Sequence, residues 1–152
     1  MYEVTQEIPF CYGHRLLLHA GKCARLHGHN GVARLTLRAA ALDDGGMVVD
    51  FDQVAARVGG WIEQTLDHRM LLHAADPIIP ELLRQGEPFV TVDANPTAET
   101  IARLIFERVA AQGMPVTEVT LWETENSFAT YRPTPGAPDA PLAMREVAGR
   151  AS

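Results

Sequence analysis

The sequence predicts an α+β fold in which a four-stranded antiparallel sheet carries two helices on one face. Two stretches of alternating polarity open the chain, two stretches of helical spacing follow, and a second alternating pair comes last. This ββααββ order is typical of an antiparallel sheet packed against helices. The chain has 152 residues, 47% of them hydrophobic, which is enough for one domain with a buried core.

The first two strands are expected over residues 2–17 and 26–41. Successive side chains of a strand point to opposite faces, so residues of one parity lie together. The apolar residues of one parity are Ile8, Phe10, Tyr12 and Leu16 in the first strand and Ala33, Leu35 and Leu37 in the second. We predict that these residues form the buried face.

The first helix is expected to begin after Asp50 and to continue to Leu66. Asp50, with Gln53 three residues later, has the pattern of a capping box. Apolar residues then recur every three or four positions, as in a helix with one buried face. Because glycine weakens a helix, Gly59–Gly60 is expected to mark a bend or a close contact.

The second helix is expected to begin at a cap on Asn95 or Thr97 and to end at Gly113. Two alternating stretches, 116–123 and 127–132, then follow as a predicted hairpin. Together these elements complete the ββααββ order.

Two parts of the chain show no periodicity. Three prolines interrupt residues 69–93, and no element is predicted there. Residues 133–152 are rich in proline and alanine and are expected to form a loosely held tail. The folded domain is therefore predicted to cover residues 1–132.

Charge and composition limit the classes of partner. The formal net charge of -6 argues against general nucleic-acid binding. No apolar run is long enough to span a membrane and the N-terminus lacks signal-peptide character, so a cytoplasmic protein without a membrane partner is expected. Five basic residues nevertheless lie between Glu7 and Asp43. They favour an anionic substrate, although Arg34 and Arg38 are equally well explained as a solvated strand face.

Three histidines predict a metal site. His14 shares the parity of the buried face of the first strand, and His27 and His29 share that of the second. Three imidazoles on neighbouring strands can therefore converge on one ion. They would leave the fourth position of a tetrahedral Zn²⁺ open for water or substrate, which is typical of catalytic zinc.

Four further residues are candidates for chemistry. Cys23 lies four residues before His27, near enough to act beside the metal. Glu123 has the parity of the apolar residues before it, so it is expected to point inward, where an unpaired carboxylate is costly. On the residues alone, Asp67–His68 would be interpreted as a surface pair at a helix end.

Six short motifs, in this order, resemble the 6-pyruvoyltetrahydropterin synthase superfamily. They are Phe10-x3-His14, Cys23-x3-His27-Gly28-His29, Gly46-Met47-Val48-Val49-Asp50-Phe51, Leu66-Asp67-His68, Pro96-Thr97-Ala98-Glu99 and Trp122-Glu123-Thr124. The similarity covers roughly residues 4–132. It implies a T-fold whose subunits join edge to edge into trimeric barrels, which stack as a homohexamer with active sites between subunits.

The resemblance also assigns roles to the candidate residues. It implies zinc on the three histidines and a catalytic thiolate at Cys23, and a nearby metal ion would stabilise such a thiolate. Asp67 and His68 match the acid–base pair of the family. Glu123 matches the glutamate that anchors the pterin ring, where a carboxylate can accept two hydrogen bonds side by side.

The function implied is a zinc-dependent lyase acting on 7,8-dihydroneopterin triphosphate. The Cys23-x3-His27 spacing resembles the queuosine-pathway branch, whose products are 6-carboxy-5,6,7,8-tetrahydropterin, acetaldehyde and triphosphate. One alternative is the pyruvoyl-forming branch, which eliminates triphosphate without cleaving the side chain. Two others are a non-catalytic zinc-stabilised binding module, which would not need Cys23, and a zinc hydrolase, which would need neither Cys23 nor Glu123.

Overall fold

The computed structural model describes residues 1–136 and 140–150 and contains one mixed β-sheet within them. Its strands are β1 (Tyr2–His14), β2 (His27–Ala39), β3 (Arg69–His73), β4 (Phe89–Val92), β5 (Val116–Thr124), β6 (Ser127–Tyr131) and β7 (Met144–Val147). Their order across the sheet is β6-β5-β2-β1-β3-β4-β7. The α+β class is confirmed, whereas the prediction of four antiparallel strands is wrong because three further strands extend the sheet beyond β1.

The strands that the sequence did not predict have a common cause. β3 runs parallel to both β1 and β4. Leu71 and Leu72 are adjacent and both buried, and all four residues of β4 are buried. A strand that is covered on both faces shows no polar alternation, so its pattern does not reveal it.

β7 lies within the segment predicted to be a loose tail. It pairs antiparallel with β4, with Phe89 opposite Val147 and Val92 opposite Met144. The pairing closes the edge that β4 would otherwise leave open. The division of the chain at residue 132 stays a prediction.

The helical elements are α1 (Phe51–Val54), a π-helical turn (Ala55–Gly59), α2 (Gly60–Thr65), α3 (Ile79–Gln85) and α4 (Ala98–Ala111). The first three form the continuous helix that was predicted to begin after Asp50. The Asp50 side chain caps this helix by accepting a hydrogen bond from the Asp52 N–H, not from the Gln53 N–H that a capping box would use. A Cβ at Gly59 or Gly60 would meet no atom within 4 Å. The glycine pair therefore marks the change from π to α geometry and not a close contact.

The core lies between one face of the sheet and the two predicted helical segments, 51–65 and α4. Its largest fully buried members are Leu35, Leu37, Val54, Val58, Ile62, Leu66, Leu71, Ile101, Ile105 and Leu121. The buried faces of β1 and β2 were thus predicted correctly, except that Leu16 lies beyond the end of β1 and is only half-buried. α3 lies on the other face of the sheet. Phe89 precedes the core residue Val90 in β4, so its side chain points away from the core, and there it lines a cavity with Ile79 and Leu83 of α3.

Across the described ranges, none of the helices has the length and apolar character needed to cross a membrane.

Candidate active site

The three predicted metal ligands meet at one end of the β1–β2 pair. The register places His14 directly opposite His27, and Tyr12 opposite His29. One ligand atom from each histidine lies within 4.8 Å of those of the other two. The convergence predicted from strand parity is therefore observed.

Backbone carbonyls orient two of the imidazoles. His14 Nδ1 lies 2.7 Å from the Pro96 carbonyl oxygen, and His27 Nδ1 lies 2.7 Å from that of Arg25. A carbonyl oxygen can only accept a hydrogen bond, so Nδ1 carries the hydrogen and donates it, and Nε2 keeps its lone pair. This arrangement presents Nε2 as a metal-binding atom and fixes the ring direction.

The buried Nε2 atoms of His14 and His29 have no hydrogen-bond partner among the described residues. A buried polar atom left unpaired costs about 1–3 kcal/mol, so such atoms call for a partner. Tetrahedral zinc, with bonds of about 2.0–2.1 Å to nitrogen, holds its ligands roughly 3.4 Å apart. The triad can reach that spacing through small side-chain movements, so these residues fit a metal ion.

The protonation state of His14 suits this role. Burial lowers the pKa of His14 below 6.5, outweighing the opposite effects of the Pro96 carbonyl and Glu123. The imidazole therefore stays neutral at pH 7, which is the form that binds a metal.

Glu123 lies beside the histidines, pointing inward as its strand parity predicts. Its Oε1 atom is 3.7 Å from His14 Nε2 and 3.8 Å from His29 Nε2. The Tyr12 hydroxyl donates to the same oxygen at 3.0 Å. Burial and the neighbouring Glu123 charge raise the pKa of Tyr12, so the phenol stays protonated and holds the carboxylate in place.

A single cavity brings four of the sequence motifs together. His14, Cys23, Glu99 and Glu123 all line it. Cys23 is carried there by a 3₁₀ turn, Lys22–Ala24, and its carbonyl oxygen accepts from the Leu16 N–H at 2.8 Å. The Cys23 thiol, the predicted metal ligand His14 and the Glu123 carboxylate therefore share one solvent-accessible space.

The loop that carries Cys23 is anchored by residues whose role sequence reasoning missed. The Asn95 side chain accepts from the Leu17 N–H at 2.8 Å and donates to the Leu17 carbonyl at 3.0 Å. Arg15 forms a two-bond ion pair with the buried Asp76, including Nε to Oδ2 at 2.8 Å. Both anchors join residues more than 60 positions apart in the chain, and no local pattern indicates such pairs.

Arg15→Ala is expected to lower the free energy of unfolding by about 3 kcal/mol, because it leaves the Asp76 carboxylate buried without its partner. Burial favours the acid form of Asp76, but its hydrogen bonds with Arg15 and the Ile78 N–H outweigh burial and lower the pKa below 3.8. The pair therefore stabilises the fold above about pH 4 and loses that effect as the pH falls. Urea unfolding at pH 7 and pH 3 measures the difference.

Arg84→Ala serves as the matched control, since its partner Glu81 is exposed on α3. It should change stability little at either pH. An Arg15→Ala effect equal at pH 7 and pH 3 would show that packing, rather than the ion pair, is responsible.

The predicted acid–base pair lies elsewhere in the chain. Asp67 and His68 follow α2, and Asp67 Oδ2 is 2.6 Å from His68 Nδ1. Burial opposes ionisation of Asp67, but hydrogen bonds from the Cys11 N–H and from His68 lower its pKa. Neither Asp67 nor His68 lines the cavity that contains Cys23. One copy of the chain therefore does not bring this pair together with Cys23.

The basic residues of the first strands divide into two groups. Arg34 pairs with Glu7 and Arg38 with Glu3 on adjacent strands, so the strand-face interpretation describes them. Lys22 and Arg25 instead lie one and two positions in the sequence from Cys23, which itself lines the cavity.

Comparison with known proteins identifies the family. The sequence model of the 6-pyruvoyl tetrahydropterin synthase family matches residues 3–134. A 6-carboxy-5,6,7,8-tetrahydropterin synthase from Rickettsia bellii is 37% identical over 135 residues, which cover 84% of this chain and 98% of the relative. The protein of the same name from Aquifex aeolicus is 34% identical, with 86% and 98% covered.

Solved structures agree with these relatives. An uncharacterized protein from Wolinella succinogenes superposes with a TM-score of 0.71 at 27% identity, covering 86% of this chain and 97% of that one. The 6-pyruvoyl tetrahydropterin synthase of Caenorhabditis elegans gives 0.64 at 26% identity, covering 88% and 98%. The predicted T-fold is thereby confirmed. The chain is an enzyme of the 6-pyruvoyl tetrahydropterin synthase family, as its motifs predicted.

Proposed function

We propose that the chain is a zinc-dependent lyase of queuosine biosynthesis. It would convert 7,8-dihydroneopterin triphosphate and water into 6-carboxy-5,6,7,8-tetrahydropterin, acetaldehyde and triphosphate. The observation that carries the proposal is the pair of buried, unpartnered Nε2 atoms of His14 and His29 beside Glu123. Glu123 lines one cavity together with His14 and Cys23. The names of the Rickettsia and Aquifex relatives support this reaction.

His14, His27 and His29 would hold the metal. Three neutral nitrogen ligands favour zinc over magnesium or calcium, which prefer oxygen. Zinc bound there would act as a Lewis acid that makes nearby substrate hydroxyls more acidic. The protein's part is to turn Nε2 of His14 and His27 towards the metal and to keep His14 neutral by burial, which lowers its pKa.

Cys23 and Glu123 would act on the substrate itself. Glu123 accepts hydrogen bonds from the pterin ring, with Tyr12 fixing the orientation of its carboxylate. Cys23, on the same cavity wall, takes a proton from the substrate side chain. Lys22 and Arg25, next to it in the sequence, are placed to attract the triphosphate.

A complete site would need a second copy of the chain. Asp67–His68 is the proposed proton-transfer pair, yet it lies apart from the Cys23 cavity. The edge strands β6 and β7 are the outermost of the described sheet and can pair with neighbours. A homohexamer built as a dimer of trimers would supply the pair from an adjacent subunit.

The pyruvoyl-forming reaction is the second candidate, favoured by the named activity of the Caenorhabditis relative. The products distinguish the two. Incubation with 7,8-dihydroneopterin triphosphate should release acetaldehyde in step with substrate loss, together with a carboxylated pterin detected by mass spectrometry. Formation of 6-pyruvoyltetrahydropterin without acetaldehyde would assign the chain to the second candidate.

Glu123→Gln is expected to weaken pterin binding by about 10- to 100-fold, because charge-assisted hydrogen bonds contribute about 1.5–3 kcal/mol. Calorimetric titration of the zinc-loaded protein with a dihydropterin measures this change. Glu125→Gln, on the exposed turn after β5, is the matched control. Equal affinities for the parent and Glu123→Gln would remove Glu123 from the pterin site.

A further inference from the structure

A second group of metal-binding side chains lies outside the histidine triad. Cys11, Asp67 and His68 each present one ligand atom within 4.8 Å of those of the other two. Thiolate, carboxylate and imidazole are the three side-chain types that bind zinc. Only Asp67 and His68 have a place in the proposed reaction, and Cys11 has none.

Backbone contacts hold the three residues together. The Cys11 N–H donates to Asp67 Oδ1 at 2.8 Å, and the His68 N–H donates to the Cys11 carbonyl at 2.7 Å. His68 adopts a left-handed backbone conformation, with φ of 57°. This conformation is uncommon for a residue with a side chain, and here it accompanies an imidazole that lies against the preceding Asp67.

Cys11 and His68 line an open cavity to which His27 and His29 of the triad also contribute. Cys11 alternates with Tyr12 and His14 along β1, so its side chain points to the opposite face of the sheet. The His68 side chain is 79% exposed and that of Asp67 25%. Within one copy of the chain, an ion in solution can reach the exposed His68 imidazole directly.

We propose that Cys11, Asp67 and His68 form a second site for a zinc-class divalent ion. One sulfur, one nitrogen and one oxygen ligand would leave a fourth tetrahedral position for water. Bonds of about 2.0–2.3 Å hold donors roughly 3.3–3.8 Å apart, which is within the 4.8 Å limit of this group. The contact between His68 Nδ1 and Asp67 Oδ2, now 2.6 Å, would open by about 1 Å to admit the ion. Binding releases the Cys11 thiol proton to solvent, and the proton that His68 Nδ1 shares with Asp67 moves to His68 Nε2, which leaves Nδ1 free to bind the ion.

Occupation of this site would inhibit the enzyme. An ion on Asp67 and His68 removes the carboxylate and the imidazole from proton transfer, a consequence that rests on the proposed function. The first ion would then support turnover while the second one stops it. Activity should rise with the first equivalent of zinc and fall with further zinc.

Cobalt provides a readout that does not depend on turnover. Protein with the first site loaded with zinc is titrated with Co²⁺, and thiolate-to-cobalt charge-transfer absorption is recorded in the near ultraviolet. The parent should develop the band, and Cys11→Ser should lose it. Cys23→Ser, which removes the other cysteine, should keep it, and His68→Ala should weaken cobalt binding by about tenfold or more.

Each departure from this pattern counts against the site. The proposal is overturned if the parent shows no band, if Cys11→Ser retains it, or if Cys23→Ser loses it. For the inhibition, each variant is compared with its own rate at one equivalent of zinc. Cys11→Ser should need at least about tenfold more zinc than the parent for half inhibition, and an unchanged zinc requirement would overturn the inhibitory role. If the lyase reaction itself fails, the cobalt titration still decides the site.

Discussion

His29→Ala is expected to abolish tight metal binding by the triad. His29 Nε2 is one of the two buried, unpartnered atoms, and the two remaining imidazoles are too few for tight binding. The parent, dialysed against a weak chelator, should retain about one zinc per chain, and the variant almost none. Metal analysis by mass spectrometry measures the difference.

His19→Ala is the matched control, because His19 is exposed and lies outside the triad. It should retain zinc like the parent. Full occupancy in His29→Ala would refute the assignment of the triad. Circular dichroism of the zinc-free variant adds a second test: the alternative of a zinc-stabilised binding module predicts unfolding, whereas a catalytic site on a preformed sheet predicts an unchanged spectrum.

Cys23→Ala is expected to reduce turnover by about 10²- to 10⁴-fold, the usual contribution of a positioned acid or base. Zinc content and pterin affinity should stay at parent values, because the thiol lines the cavity but belongs to neither the histidine triad nor the Glu123 contact. Steady-state rates, together with metal analysis and pterin titration, separate these effects.

Leu18→Ala controls for disturbance of the same loop, since the Leu18 side chain is fully exposed. It should turn over at the parent rate. Parent-like turnover in Cys23→Ala would remove the cysteine from proton transfer and favour the zinc hydrolase instead. Mixing Cys23→Ala with His68→Ala subunits under exchange conditions tests the shared site: activity should return in the mixture, because one interface then combines an intact Cys23 with an intact Asp67–His68.

Local sequence patterns predicted the strands and helices that bury one face and expose the other to solvent. Strand parity placed Ile8, Phe10, Ala33 and Leu35 in the core, and all four are buried. The same parity brought the three histidines to one point, because β1 and β2 pair in unbroken register from Tyr2 to His14. The Thr97 cap of α4 and the final hairpin follow from equally local rules.

The tertiary structure alone decided the parallel half of the sheet. β3 and β4 are covered on both faces, and β7 forms only because β4 offers it an open edge. Contacts between residues distant in sequence decided the details of the site, including the Tyr12–Glu123 hydrogen bond and the Arg15–Asp76 ion pair. They also placed Asp67–His68 beside Cys11 and away from Cys23. Side-chain alternation reports which face of an element is buried, but partners across the sheet are chosen by packing between distant segments, which no local period encodes.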